Sequence, residues 1–217
     1  PINFLREMIE SVISQSYSNW ELCIADGSVS DQVMQVIQAY TQADKRIIVK
    51  KLTKNKGIAD NTNAAIAIAS GEYIALLDHD DLLAPDALFE VVRCVNDNEK
   101  ADVIYSDEDK ITADSARRFE PHFKTDFNIE LLRSNNYICH LFVVKRLIVE
   151  EIGGFRNDFD GAQDYDLILR CIEKAEEIYH IPKILYHWRV HQSSTAENPE
   201  SKLYAYDAGK RAIEEHL

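Results

Sequence analysis

The stretch Tyr73–Val92, YIALLDHDDLLAPDALFEVV, runs an apolar segment that reads as a buried strand straight into three carboxylates, Asp78, Asp80 and Asp81. A helical pattern follows from Ala84 to Val95, with Pro85 at its first turn, where a missing N–H costs nothing. Strand, acidic turn, helix is the βα joint of an α/β domain, and in such sheets ligands collect beyond the carboxyl ends of the strands. The acidic cluster falls at such an end.

The same alternation runs through the first half. Phe4, Leu5, Met8, Ile9, Val12 and Ile13 recur at helical spacing behind Asn3 as N-cap, and Trp20–Ala25 is a short strand ending in the turn Asp26-Gly27-Ser28. Val33, Val36, Ile37 and Tyr40 mark a second helix, Arg46–Lys50 a strand, and Gly57 opens the small-residue helix Ile58–Ala69, which Ser70-Gly71 stops. Strands at Tyr73–Leu77 and Asp102–Tyr105 complete a pattern that predicts a mostly parallel central sheet with helices on both faces. Asp26 and the Asp78 cluster then share one rim.

The second half is less regular. Ser106–Asp126 reads as polar loop, Phe127–Ser134 as a short helix, Cys139–Val144 as β, and Lys145–Glu151 as helix up to Gly153-Gly154. Asp164–Ala175 is a clearer helix, Ile178–Ile181 and Ile184–Trp188 are short strands, and Ser201–His216 is a polar terminal helix. The 217 residues suit a single domain, 1–217, with a first half to residue 105 and a second from 106.

Composition excludes several classes. With 37 acidic against 24 basic residues the net charge is -13, which argues against a nucleic-acid binder, because a phosphate backbone needs a clustered positive surface. Cys23, Cys94, Cys139 and Cys171 lie far apart with no CxxC, the usage of reduced buried thiols. No apolar run reaches membrane-spanning length and nothing resembles a signal peptide, so a cytoplasmic location is expected, with the inner face of the membrane left open for an acceptor. The sequence opens at Pro1 directly before a helix, and a preceding N-terminal piece is expected.

Closely spaced carboxylates repel one another and need a cation; their oxygens suit Mg²⁺ or Mn²⁺ shared with substrate phosphates. A solvated acidic turn capping the next helix is the competing reading. A calcium loop fails, since Leu83 and Phe89 stand where an EF-hand needs Gly and Glu, and so do Thr112 and Arg118 in the run starting at Asp107. Neither GxxxxGK[ST] nor GxGxxG occurs, which weighs against a nucleotidyl- or phosphoryl-transfer enzyme.

Taken together, Asp26-Gly27-Ser28, Asn55-Lys56-Gly57, the Ala-rich helix, "SGEYIALLDHDD" and Pro85-Asp86 resemble, in order and spacing, the nucleotide-sugar half of family 2 glycosyltransferases with the GT-A fold. "GGFRNDFDGAQDYDLILR" (153–170) and "YHWRVHQSST" (186–195) extend the resemblance over essentially the whole chain. That family's usual first strand, before "SVISQSYSNWEL", has no counterpart here. "YSDEDK" (105–110) and "NYICHLFVVKR" (136–146) resemble a bacterial subset that builds surface polysaccharides.

The resemblance implies an inverting, metal-dependent transferase moving a sugar from a nucleotide diphosphate, a UDP-sugar, to a hydroxyl of a glycan or lipid-linked acceptor. It implies Asp26 on the uracil, Lys56 and Asn61 near the nucleotide, and Asp78 at the ribose. Asp80, with Asp81 as helper and His191, would hold Mn²⁺ or Mg²⁺, and Arg189 would compensate diphosphate charge. Asp164 would be the general base, with Gln163 where relatives more often carry an acidic residue. Asp107, Glu108, His140 and Gln163 are acceptor-side candidates, and Ser193, Ser194 and Thr195 belong to a lid. A non-catalytic sugar- or nucleotide-binding domain that keeps the fold is the alternative.

Overall fold

The computed structural model describes residues 1–191 and 203–217; the expected lid residues Ser193, Ser194 and Thr195, and the start of the terminal helix at Ser201, lie outside the described residues. The chain order is α1 (Ile2–Ile13), β1 (Leu22–Asp26), α2 (Asp31–Ala43), β2 (Ile47–Lys51), α3 (Ile58–Ile66), β3 (Tyr73–Ala75), β4 (Leu82–Leu83) and α4 (Ala87–Asp97). It continues with β5 (Ala101–Thr112), β6 (Arg118–His122), α5 (Ile129–Ser134), β7 (Phe142–Lys145), α6 (Arg146–Glu151), α7 (Gln163–Ile172), β8 (Glu177–Val190) and α8 (Leu203–His216).

The α/β alternation is as expected, but the sheet is mixed. β1 and β2 form a parallel pair, while a six-stranded sheet runs β3-β7-β5-β8-β4 with β6 on β5. Within it only β5 and β8 pair in parallel; β7 lies antiparallel between β3 and β5, and β4 is antiparallel to β8. The parallel expectation fails where the second half inserts β7 as a returning strand between two strands of the first. Glu21 links the two sheets, its carboxylate accepting from the backbone N–H groups of Ser70 (2.5 Å) and Gly71 (2.7 Å) just before β3.

The apolar runs of β5 and β7 follow from burial on both faces. On β5, Val103 and Tyr105 enter a core shared with Leu132 of α5, Val149 of α6 and Leu167, Ile168 and Cys171 of α7. Ile104, and Leu141 and Val143 on the β7 side, enter a second core with Leu5, Ile9 and Val12 of α1, Ile37 of α2 and Val91 of α4.

Ser106–Asp126 is not a loop. β5 continues to Thr112 and β6 pairs back on it, Glu108 facing His122 and Lys110 facing Phe119. Pro121 is tolerated because β6 is an edge strand. The polar side chains misled because Asp107, Glu108 and Asp109 find partners inside the sheet rather than in water. The strands expected at Ile178–Ile181 and Ile184–Trp188 are one element, β8, in which Ile181 pairs with Ser106 and Ile184 with Asp107, so that Pro182 and Lys183 form a bulge. α4 starts three residues late, since Leu82 and Leu83 pair with β8 and the Ala84 N–H donates to the Leu185 carbonyl (2.9 Å).

Asn63 of α3 clasps Phe155 by both backbone groups, donating to its carbonyl (2.8 Å) and accepting from its N–H (2.8 Å). Gly154 makes this approach possible: at φ +72 a Cβ there would lie 2.4 Å from Asn63 Oδ1. Gly154→Ala is therefore expected to destabilise the fold by about 1–3 kcal/mol, read as a lower urea midpoint with unchanged slope. Asn63→Ala, which makes room, should partly restore the double variant.

Candidate active site

Four segments converge on one rim. The acidic turn after β3 brings Asp78 and Asp81, the segment before β7 brings His140, the start of α7 brings Asp164, and β8 brings Tyr186. Asp78, Asp81 and His140 each offer a potential ligand atom within 4.8 Å of one another.

Asp81 is fully buried. Its oxygens accept from the Tyr186 hydroxyl (2.6 Å) and the Arg189 backbone N–H (2.7 Å). Burial, then the charge of Asp78, pushes its carboxyl up to about 7. The Asp78 N–H donates to the same Tyr186 oxygen (3.2 Å). Tyr186 thus ties the acidic turn to β8, while the Asp78 side chain faces solvent.

The His140 ring stacks on Tyr186 at 4.6 Å. Burial alone would lower its imidazole, but contact with Cys139 and the charges of Asp78 and Glu108 hold it well above the usual range. Asp164, two residues into the first turn of α7, is enclosed beside them. Desolvation and the Asp78 charge push its carboxyl up to about 6, against the opposing pull of His140. Gln163 donates to it (3.1 Å) while accepting from the Gly161 N–H (2.7 Å). Gln163 therefore holds Asp164 rather than lying open at the surface. Asp166 anchors the same turn, buried between Arg170 (2.6 Å) and Arg156.

Asp80 sits apart from this group, with its carboxylate 2.8 Å from Nε2 of His191. Arg189, expected beside a diphosphate, is instead fully buried and spent on the protein. Its Nε donates to the Asp80 carbonyl (2.5 Å), its terminal nitrogens to Ser115 Oγ (2.6 Å), the Ala113 carbonyl (3.1 Å) and Glu7 (2.8 Å). It fixes the Asp80 backbone and does not face the rim.

Asp107 and Glu108 are also enclosed. Asp107 accepts from the Lys124 N–H (2.9 Å) and pairs with His180 (2.8 Å), which places it in the sheet and not among acceptor-side groups. Glu108 accepts from the His140 N–H (3.2 Å) and lies 3.4 Å from the Nζ of Lys124. That ammonium also donates to the Ile138 carbonyl (2.6 Å) and to the His140 carbonyl. Glu108 reaches the rim only through His140. His187 pairs with Asp109 at 2.5 Å on the opposite face of β8.

At the other end of the rim Asp26 is buried, accepting from the Ser28 N–H (2.9 Å) and Lys51 (2.8 Å); burial would raise its carboxyl, but these partners hold it below the usual range. Asn61 of α3 donates to Asn55 (2.8 Å) and accepts from the Lys56 N–H (3.3 Å), so it shapes the turn before α3. A Cβ on Gly27 would meet Asn61 and Asn55 at 3.1 and 3.2 Å, which places the Asp26 turn against this one. The sequence reading missed Tyr186, Lys124 and Asn63, whose signals are weak: only the alternation in Tyr186-His187-Trp188-Arg189 hinted that Tyr186 and Trp188 share a face.

The Asp80 carboxylate and the His191 imidazole, 2.8 Å apart, are donors that fit a hard divalent cation. Among the described residues no helix is long and apolar enough to cross a membrane.

The O-antigen biosynthesis protein RfbC of Myxococcus xanthus is 36% identical over 99% of this chain and 17% of its own length. Staphylococcus aureus TarS, solved with UDP-GlcNAc, superposes with a TM-score of 0.77 at 17% identity over 99% of this chain and 62% of that one. A Pyrobaculum calidifontis mannosyltransferase, solved with GDP-Man and Mn²⁺, gives 0.67 at 19% identity, covering 89% and 55%. The chain spans less than a quarter of the length of the first curated relatives it matches. The fold is the GT-A fold of these structures. The family model "Glycosyl transferase family 2" matches residues 2–153, most of the sequence, and the chain belongs to that family.

Proposed function

We propose that this domain transfers a sugar, with inversion, from a UDP-sugar to a hydroxyl of a glycan or lipid-linked acceptor in the synthesis of a cell-surface polysaccharide. The observation that carries the reading is the convergence of Asp164 with Asp78, Asp81 and His140 from separate segments of the chain. A carboxylate raised to about 6 is ionised near neutral pH yet basic enough to take a proton. A binding-only module has no use for such a group.

In this mechanism Asp26 and the Asn55–Asn61 turn bind the uridine, and Asp78 reaches the ribose. Asp164 accepts the proton of the acceptor hydroxyl as its oxygen bonds to the anomeric carbon. The bond from that carbon to the diphosphate oxygen breaks, and its electron pair leaves with the nucleotide. His140 lies beside Asp164, and Gln163 fixes the oxygen that does not take the proton. One base and one displacement give inversion; a retaining route needs a carboxylate nucleophile as well.

Asp80 and His191 are the residues assigned to hold Mn²⁺ or Mg²⁺, which when bound neutralises the charge of the departing diphosphate. Asp81 is left to position them, because both its oxygens are engaged. Calorimetry with UDP checks this: binding is expected to strengthen at least tenfold with Mn²⁺ in the unaltered protein and to lose that gain in Asp80→Ala. Equal gain in both proteins would remove Asp80 from the metal site. Metal-independent release of UDP from donors would remove the metal itself.

A further inference from the structure

Beyond the catalytic rim, β8, β5 and β6 bring together an indole, a Lys–Glu pair and a histidine that no role above uses. Trp188 follows Tyr186 on the same face of β8, and its ring lies edge-on to His140, 6.2 Å between centroids. Its register partner on β5 is Lys110, whose Nζ lies 5.8 Å from the indole centroid and 2.6 Å from Glu120 of β6. Across β5, on β6, His122 pairs with Glu108 and is half-exposed 3.4 Å from its carboxylate, which also receives the His140 N–H. Trp188 is half-buried, and its indole N–H makes no hydrogen bond among the described residues. A flat aromatic ring with an open N–H, rimmed by a Lys–Glu pair and a histidine, has the chemistry that holds a pyranose: C–H groups on the ring, hydroxyls on the polar rim.

We infer that Trp188, Lys110 and His122 form the acceptor subsite, and that the acceptor presents a pyranose ring there with one hydroxyl directed past His140 to Asp164. This rests on the transfer reaction proposed above and names its acceptor class. It also replaces the enclosed Asp107 with groups that reach solvent. The order Asp164, His140, Trp188, Lys110 runs outward from the base, so the reacting sugar covers Trp188 while the remainder of the glycan extends toward β6.

The protein has two tryptophans, Trp20 and Trp188. In a Trp20→Phe background Trp188 is the sole indole reporter. Titration with pyranose disaccharides such as cellobiose and chitobiose, without nucleotide, is expected to shift and quench its emission saturably for those that serve as acceptors. With such an acceptor, Trp188→Leu should raise the acceptor KM at least tenfold while the donor KM stays within about twofold. Trp188→Phe should recover most of the loss, and the surface change Lys110→Met should raise the acceptor KM about threefold to tenfold. An unchanged acceptor KM in Trp188→Leu, or emission indifferent to every saccharide that is glycosylated, overturns the inference. Failure of the transfer reading looks different: the unaltered protein would release no nucleotide from any UDP-sugar, and both proposals would fall.

Discussion

Replacing Asp164 with Asn is expected to lower turnover by about 10²–10⁴-fold, the range for loss of a positioned general base, while donor affinity changes little. The substitution is isosteric and keeps a partner for Gln163, so the start of α7 stays in place. Its second signature is a gain in stability. Because the folded-state pKa of Asp164 is raised to about 6 from 3.8, folding favours its protonated form. The cost of holding the anion is absent below the unfolded value, appears as pH rises through that window and is complete above about 6. Asn removes it, so the variant should be more stable than the parent by about 3 kcal/mol near pH 8 and show no advantage near pH 3. In the unaltered protein the same titration sets the acidic limb of kcat/KM, which should fall about tenfold per unit below about pH 6 and level off above it. A variant that loses activity, donor binding and stability together would make Asp164 a helix-capping group instead.

Arg189→Met is the second large effect, and it is structural. The guanidinium is buried against Phe4, 4.5 Å from the ring centroid, and holds Glu7, Ser115, the Ala113 carbonyl and the Asp80 carbonyl. Removing it leaves two carbonyls without this donor and Glu7 with the Ser115 hydroxyl alone. The expected loss is about 3 kcal/mol, at the lower end for a broken buried pair because Glu7 keeps some solvent. A fall in Tm on the order of 10 °C follows for a chain of this size. Arg189→Lys restores charge but not the fork of donors, and should recover stability only in part. If both variants melt like the parent, Arg189 faces solvent or ligand, as its sequence context first suggested.

The sequence carried the α/β alternation because most first-half elements are locally specified: Gly57 opens α3, Ser70-Gly71 closes it, and the apolar periods change from helical to extended at each joint. Asp26, Asp78 and Asp164 stood out as carboxylates at strand or helix ends. What stayed hidden depends on partners far along the chain. β5 is polar from Ser106 to Lys110, yet Asp107 and Asp109 find His180 and His187 on β8. No local pattern announces that pairing. Arg189 read as a phosphate contact because arginine near a catalytic motif often is one; its burial is set by Glu7, in α1 at the far end of the sequence. The parallel-sheet expectation failed for the same reason, since β7 enters between β3 and β5 from beyond the helical repeat.

Transfer by a single displacement at the anomeric carbon of a UDP-sugar, with Asp164 as base, is tested most directly by proton NMR of the first-formed product. From an α-linked UDP-sugar, with Mn²⁺ and a pyranoside acceptor, the expected product is β-linked, with one UDP released for each linkage formed and no product from Asp164→Asn. An α-linked product, or the same β-linked product at an undiminished rate from Asp164→Asn, would contradict it.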